Sequence, residues 1–225
     1  MSILRLVSTV TVLSFLSLTA SAEVDLSSDK QKLSYAMGAL FSQNLDQKEL
    51  ELDVPAFLQA IEDSLNKAEL KMTTQEMQEI LTKSQAEESK QRVALAEKNL
   101  AEGKKFLAEN KGKEGITELP SGLQYKIINE GDGKNPTAEN TVTVHYRGTL
   151  IDGTEFDSSY TRGEPIQLQL ARVIKGWQEA LPLMKVNSKW QIYVPSDLAY
   201  GDNGAGSAIG PNAALIFDIE LLAIN

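Results

Sequence analysis

Residues that break regular backbone are spread so unevenly along this chain that one architecture cannot accommodate all of it. Between Glu23 and Glu102 stand one proline, Pro55, and one glycine, Gly38, whereas from Leu119 onward there are six prolines, eleven glycines and both tryptophans. Proline withholds a backbone donor and glycine weakens helices, so the first stretch can run as uninterrupted helix while the second must turn repeatedly. A chain of 225 residues has room for both regimes, each with its own core.

Ahead of the helical stretch, Arg5, an apolar run from Leu6 to Leu18 and the small residues Ala20-Ser21-Ala22 have the pattern of an export signal cleaved after Ala22. The run is shorter than the roughly 20 residues that span a bilayer, so no integral membrane segment is expected after processing. The expected location is the periplasm, or association with the outer membrane.

Three helices are expected next. Asp29 is placed to cap the first, whose Leu33, Met37, Leu40, Phe41 and Leu45 form an apolar stripe. The second starts near Asp53 with Pro55 in its first turn and aligns Val54, Leu58, Ile61 and Leu65. The third opens on the capping box Thr73-Thr74-Gln75-Glu76 and meets no breaker before Asn110 except Gly103, about 37 residues or ~55 Å.

Only the start of that third helix is strongly apolar, at Met77, Ile80 and Leu81. Further along, a thin series of Ala86, Val93, Leu100 and Leu107 is accompanied by Lys90, Glu97 and Lys104 where a coiled coil needs a second apolar seam. The spacing therefore predicts a solvent-exposed stalk bridging two domains. Three short apolar faces make a small core, and mutual burial with a second copy of the chain is expected, giving a homodimer through the N-terminal helices. The expected division is residues 1–22 as signal, 23–72 as helical dimerisation domain, 73–114 as linker helix and 115–225 as a second domain.

From Leu119 the apolar period changes to two. Leu123, Tyr125 and Ile127 alternate with polar residues, as do Val142, Val144 and Tyr146, then Leu168 and Leu170, then Trp190, Ile192 and Val194, and finally Leu215, Phe217, Ile219 and Leu221. Arg172 to Leu181 is the one short helix expected here. The fold class is thus α+β: an all-α region with a long stalk, then an antiparallel sheet wrapped on a short helix.

The chemistry this chain can perform is narrowed by what it lacks. There is no cysteine and one histidine, His145, so thiol nucleophiles, thiolate metal sites and multi-histidine centres are excluded. His145 lies between Val144 and Tyr146 on a strand, and alternation turns it away from their face. A net charge of −9 argues against nucleic acid as a partner. The glycines between Gly204 and Gly210 have the wrong spacing for a phosphate loop and are followed by Pro211, and neither Asp202 nor Asp132 belongs to a calcium-loop pattern. No metal or cofactor is expected.

What remains is aromatic. Tyr146, Phe156, Trp177 and Phe217 fall one to an element, and Tyr200 follows a strand. Such residues can simply form a core. Asp157 beside Phe156, and two tyrosine hydroxyls that a dry core would strand, suggest instead a pocket open at one end.

The segment Val144-His145-Tyr146-Arg147-Gly148-Thr149-Leu150-Ile151-Asp152-Gly153-Thr154-Glu155-Phe156-Asp157-Ser158-Ser159 resembles the signature V-x-Y-x-G-x-L-x-D-G-x-x-F-D-S-S of the FKBP-type peptidyl-prolyl isomerases. Val173-Ile174-Lys175-Gly176-Trp177, Leu198-Ala199-Tyr200-Gly201 and the run Leu215 to Leu221 resemble its other blocks, in order. The first half and Ser121 to Tyr125 are similar to the Mip-like bacterial branch with an N-terminal dimerisation domain. The resemblance implies a proline pocket lined by Tyr146, Phe156, Asp157, Trp177, Tyr200 and Phe217, with Trp177 as its floor and Val173 and Ile174 on its wall. It also implies that the Ile174 N–H and the Tyr200 hydroxyl donate to substrate carbonyls, that Arg162 pairs with Asp157, and that Ile166 and Ile209 border the substrate. Ile166, Ala205 and Ala208 depart from the bulkier residues of many members.

The implied partners are proline-containing polypeptides in the act of folding after export, and macrolide inhibitors of the tacrolimus type. A rival reading makes the chain chiefly a holdase whose dimer cleft binds clients, with the isomerase pocket secondary.

Overall fold

The computed structural model describes residues 24–46 and 52–225. The expected export signal, residues 1–22, lies outside the described residues. Two compact units divide between Asp46 and Gln47. The first carries helix α1 (Asp29–Asp46). Its cap is Ser28 rather than the expected Asp29: the Gln31 N–H donates to Ser28 Oγ at 3.3 Å while Gln31 Oε1 accepts from the Ser28 N–H at 2.9 Å, a reciprocal box that Asp29, already inside the helix, cannot make. Leu33, Met37 and Leu40 on its stripe are each more than 60% exposed.

The second unit opens with α2 (Val54–Leu65), where Asp53 accepts from the Ala56 N–H at 2.9 Å and Pro55 occupies the first turn. The long helix α3 (Thr74–Asn110) starts at the expected capping box, with the Thr73 N–H donating to Glu76 at 2.8 Å and the Glu76 N–H to Thr73 Oγ1 at 3.2 Å. Helix α2 and the first turns of α3 frame a largely apolar cavity of about 440 Å³ bordered by Ala56, Ala60, Leu70, Met72 and Met77.

The latter half of α3 is not the solvent-bridging stalk that its polarity predicts. Gly103 and Asn110 are buried, Ala96, Asn99, Phe106 and Leu107 half-buried, and all but Leu107 fall with Arg92 on one helical stripe, at spacings of four and three. The Phe106 ring meets Tyr193 at 6.0 Å, and Asn110 donates to the buried Gln124, which in turn donates to the Leu107 carbonyl at 2.8 Å. A docking face whose one large apolar residue is Phe106, among small, amide and charged side chains, does not register as hydrophobic, so period counting passes over it.

Seven antiparallel strands follow: β1 (Ile116–Glu118), β2 (Gln124–Asn129), β3 (Thr141–Leu150), β4 (Glu155–Ser158), β5 (Ile166–Gln169), β6 (Lys189–Val194) and β7 (Leu215–Ile224). They lie in the order β1-β2-β6-β7-β3-β4, with β5 also paired to β3. The α+β class is as expected, with two additions: β1, and a four-residue helix α4 (Ser159–Arg162) closed by Gly163. The expected helix at Arg172–Leu181 is shorter, α5 (Lys175–Ala180), because Leu170–Arg172 and Leu181–Leu183 tighten into 3₁₀ turns.

One face of the sheet is the core. Val142, Val144 and Tyr146 of β3, Ile192 and Val194 of β6, and Leu215, Phe217, Ile219 and Leu221 of β7 are all buried at period two. Helix α5 lies against that face, and Gly176 allows the approach: a Cβ there would come within 2.6 Å of Val194 Cγ1. Burying Trp177, Ala180 and Leu181 against the sheet fixes the helix in place.

Candidate active site

Four elements and a turn converge at one end of this core. Strand β3 contributes Tyr146, β4 Phe156 and Asp157, β7 Phe217, α5 Trp177, and the turn after β6 Tyr200, around an open cavity of about 360 Å³. The rings form a continuous series of edge-to-face contacts: Phe156 to Phe217 at 5.6 Å, Phe217 to Trp177 at 5.3 Å and Trp177 to Tyr146 at 5.4 Å, all near perpendicular. Each such contact adds about 0.5–1.5 kcal/mol to the area buried and fixes the orientation of both rings.

Phe156 and Asp157 are neighbours in a strand, so alternation should point them to opposite faces. Both line the cavity because the β3–β4 register shifts between Gly148 and Thr149: Gly148 faces Asp157, Thr149 faces Glu155, and Phe156 is left over. The bulge re-aims one side chain. Gly148 also provides the space the rings occupy, since a Cβ there would lie 2.6 Å from Phe156 and 2.9 Å from Phe217.

Of the residues the sequence singles out, Tyr146, Phe156, Asp157, Ile166, Val173, Ile174, Trp177, Tyr200 and Phe217 all border the cavity. Arg162 does not border it but reaches Asp157 from α4, and its guanidinium stacks 5.5 Å from the Tyr146 ring. Ile209 is not brought to the cavity. It is buried in the core, its backbone paired with Ala205 across the tip of the glycine-rich loop. Leu168 and Arg172 also border the cavity; in the sequence Leu168 reads as an ordinary inward strand residue, and no motif marks Arg172. His145 is on the other face, as alternation requires, stacked on Tyr160 at 4.6 Å with Nδ1 2.9 Å from Ser159 Oγ.

The polar groups at the rim form one network. The Tyr146 hydroxyl donates to Asp157, Arg162 donates to the other Asp157 oxygen, and Arg162 Nη2 reaches the Tyr146 oxygen at 2.9 Å. Burial works to raise the Asp157 carboxyl, but the bonds from Tyr146 and Arg162 and the adjacent positive charge outweigh it, leaving its pKa below the ordinary carboxylate range. Burial, then the Asp157 charge, push the Tyr200 hydroxyl up, so it stays a proton donor at neutral pH. The Ile174 N–H, ahead of α5, is taken by no acceptor among the described residues. Trp177 Nε1 is likewise buried without a partner.

Comparison with known proteins decides the family. Residues 132–222 match the FKBP-type peptidyl-prolyl cis-trans isomerase family, and residues 30–127 the domain amino-terminal to such isomerases. The chain is 45% identical to the outer membrane protein MIP of Legionella longbeachae, over 92% of this chain and 91% of that protein, and 41% identical to the peptidyl-prolyl cis-trans isomerase Mip of Coxiella burnetii over the same shares. The crystal structure of FkpA from Escherichia coli superposes with a TM-score of 0.63 at 34% identity, covering 89% of this chain and 99% of that one. The chain belongs to the FKBP-type peptidyl-prolyl cis-trans isomerases.

An FKBP-type isomerase rotates an amide, and the cavity's chemistry suits that task. The barrier of about 18–20 kcal/mol is amide resonance, lost as the C–N bond turns through the perpendicular. No bond is made to the enzyme and no net proton moves. What lowers the barrier is an apolar enclosure that strips water from the resonance-stabilised planar amide, with donors placed for the twisted form. Among the described residues no helix is long and apolar enough to cross a membrane.

Proposed function

We propose that the aromatic cavity is the site of prolyl isomerisation, with the prolyl ring seated over Trp177 between Tyr146, Phe156 and Phe217. The observation that carries this reading is the unbroken series of perpendicular ring contacts enclosing about 360 Å³, a volume suited to one prolyl residue and its amide. The Ile174 N–H and the Tyr200 hydroxyl donate to the substrate carbonyls on either side of the bond. Asp157, held by Tyr146 and Arg162, sets the polarity of the rim. A tacrolimus-type macrolide competes for the same space.

The substrates are proline-containing polypeptides that have just been exported. The support is the signal pattern at residues 1–22 and the outer-membrane designation of one relative. Isomerisation over tens to hundreds of seconds is slow enough to limit their folding. Residues 23–72 pair two copies of the chain, a reading supported by the exposed apolar residues of α1 and α2, residues 73–114 connect, and residues 115–225 catalyse.

A protease-coupled assay on a proline-containing tetrapeptide tests the site. Tyr200→Phe and Phe217→Leu should each lower kcat/KM by about tenfold or more, the value of a lost charge-stabilising donor or a lost ring contact in the transition state. Unchanged rates in both folded variants would remove catalysis from this cavity. Light scattering on the full chain, giving the mass of two copies or of one, tests the pairing.

A further inference from the structure

The loop that follows Tyr200 is held from outside the sheet. Within itself it is tied by the Asn212 N–H donating to the Gly201 carbonyl at 2.8 Å and by the Ala205–Ile209 pair. Ile209 seats its tip in the core, and its side-chain hydrogen bonds to the rest of the molecule run to α3. Arg92 Nη2 donates to the Asp202 and Asn203 carbonyls at 3.1 and 2.9 Å, and Asn99 Nδ2 donates to the Pro211 carbonyl at 2.8 Å. One helical turn on, Gly103 is the point of closest approach, where a Cβ would lie 3.0 Å from that of Ala214. A glycine inside a long helix costs about 1 kcal/mol relative to alanine, a cost that such an approach explains.

We infer that Arg92 and Asn99 of α3 are positioning residues for the isomerase site: they fix the 201–212 loop, and through it Tyr200. Arg92 grips the two carbonyls directly after Gly201, two residues from the cavity-lining Tyr200, and Asn99 grips the loop's return. Tyr200 itself is 40% exposed and receives no hydrogen bond to its ring hydroxyl from the described residues, so its placement depends on the loop. The half-buried Asn99 bond carries more of this than the exposed Arg92 pair, which solvent weakens. The long helix is therefore a component of the catalytic unit, and any force that bends it away from the loop alters the site.

The inference rests on the proposed contact of Tyr200 with substrate, and the test separates the two. In the full chain, Asn99→Ala and Arg92→Ala are each compared with Tyr200→Phe, and all are combined pairwise. Amide hydrogen exchange at Gly204, Ala205, Ile209 and Asn212 should quicken about tenfold in Asn99→Ala, less in Arg92→Ala, with β7 exchange unchanged. On the tetrapeptide, Asn99→Ala should lower kcat/KM about three- to tenfold, mostly through KM, and Tyr200→Phe should remove that effect in the double variant. Arg92→Lys should restore most of what Arg92→Ala loses, since an ammonium can still donate to both carbonyls. Loop exchange that stays at the wild-type rate in Asn99→Ala overturns the inference, whatever Tyr200→Phe does. So does a kcat/KM unchanged in Asn99→Ala while Tyr200→Phe lowers it. Tyr200→Phe without effect, beside a loosened loop, refutes the Tyr200 contact and confines the inference to the loop.

Discussion

Replacing Gly148 by alanine adds a single carbon, and the geometry says where it goes. The new Cβ would sit 2.6 Å from both Cε2 and Cζ of Phe156 and 2.9 Å from Cε1 of Phe217. Carbon atoms rest at about 3.5–4.0 Å, so the rings must retreat by about 1 Å. Phe217 is 4% exposed and braced by Trp177 at 5.3 Å, whereas Phe156 is half-buried at the cavity's edge. The Phe156 ring is the one able to yield, and its displacement reshapes the wall. Overpacking of this kind costs about 1–3 kcal/mol, and misplacing a site by ~1 Å costs up to ~100-fold in rate. Gly148→Ala should thus lose about 1–2 kcal/mol in urea unfolding and about 10- to 100-fold in kcat/KM on a prolyl tetrapeptide. Gly153→Ala is the control: its backbone is left-handed, φ +91°, but nothing lies within 4 Å of a Cβ there. It should cost about 1 kcal/mol of stability and leave kcat/KM unchanged. A folded Gly148→Ala protein that turns over within about twofold of wild type would refute the ring packing as the determinant of rate.

Three further outcomes are expected. Because the native Asp157 carboxyl is depressed below its unfolded value, its contribution to stability is present above about pH 4 and is lost as pH falls through the folded pKa; the gap in unfolding free energy between wild type and Asp157→Asn, about 1 kcal/mol or less for so exposed a pair, should close on acidification. Gln124→Leu removes the acceptor of the Asn110 side-chain N–H and one of the two donors to the Leu107 carbonyl, which keeps the Lys111 N–H at 3.1 Å, and should cost about 1–2 kcal/mol in urea unfolding. Met37→Asp, on the exposed stripe of α1, should halve the mass seen by light scattering and leave tetrapeptide kcat/KM as it was, since α1 bears no residue of the cavity.

Much of this organisation is legible in the sequence because it is written in strong signals. Thr73 and Glu76 mark the start of α3, Asp53 and Pro55 that of α2, and the period-two runs around Val144, Ile192 and Ile219 locate the three strands that carry the core. What escapes is whatever depends on one residue's place in a pairing register or on small side chains in contact. That Phe156 and Asp157 share a cavity follows from a bulge that no local pattern announces. That the polar half of α3 is docked follows from Ala96, Asn99, Gly103, Phe106 and Asn110 lying on one stripe, and a single aromatic among small and amide side chains is too little to be read as a face. Motif alone puts Ile209 beside the substrate; the structure buries it in the core cluster that also holds Tyr146, Trp177 and Phe217, without bringing it to the cavity's lining.

If the prolyl bond rotates in this cavity, its rotation needs no titrating group. Asp157 is shifted down and Tyr146 and Tyr200 are shifted up, so no group at the site changes charge between about pH 5 and pH 9, and His145 lies across the sheet. The direct measurement is the pH profile of kcat/KM for the full chain on a prolyl tetrapeptide, with and without His145→Ala. A flat profile across that range, superimposable for the two proteins, is expected; a bell-shaped profile, or a limb that disappears with His145→Ala, would show that a titrating group takes part.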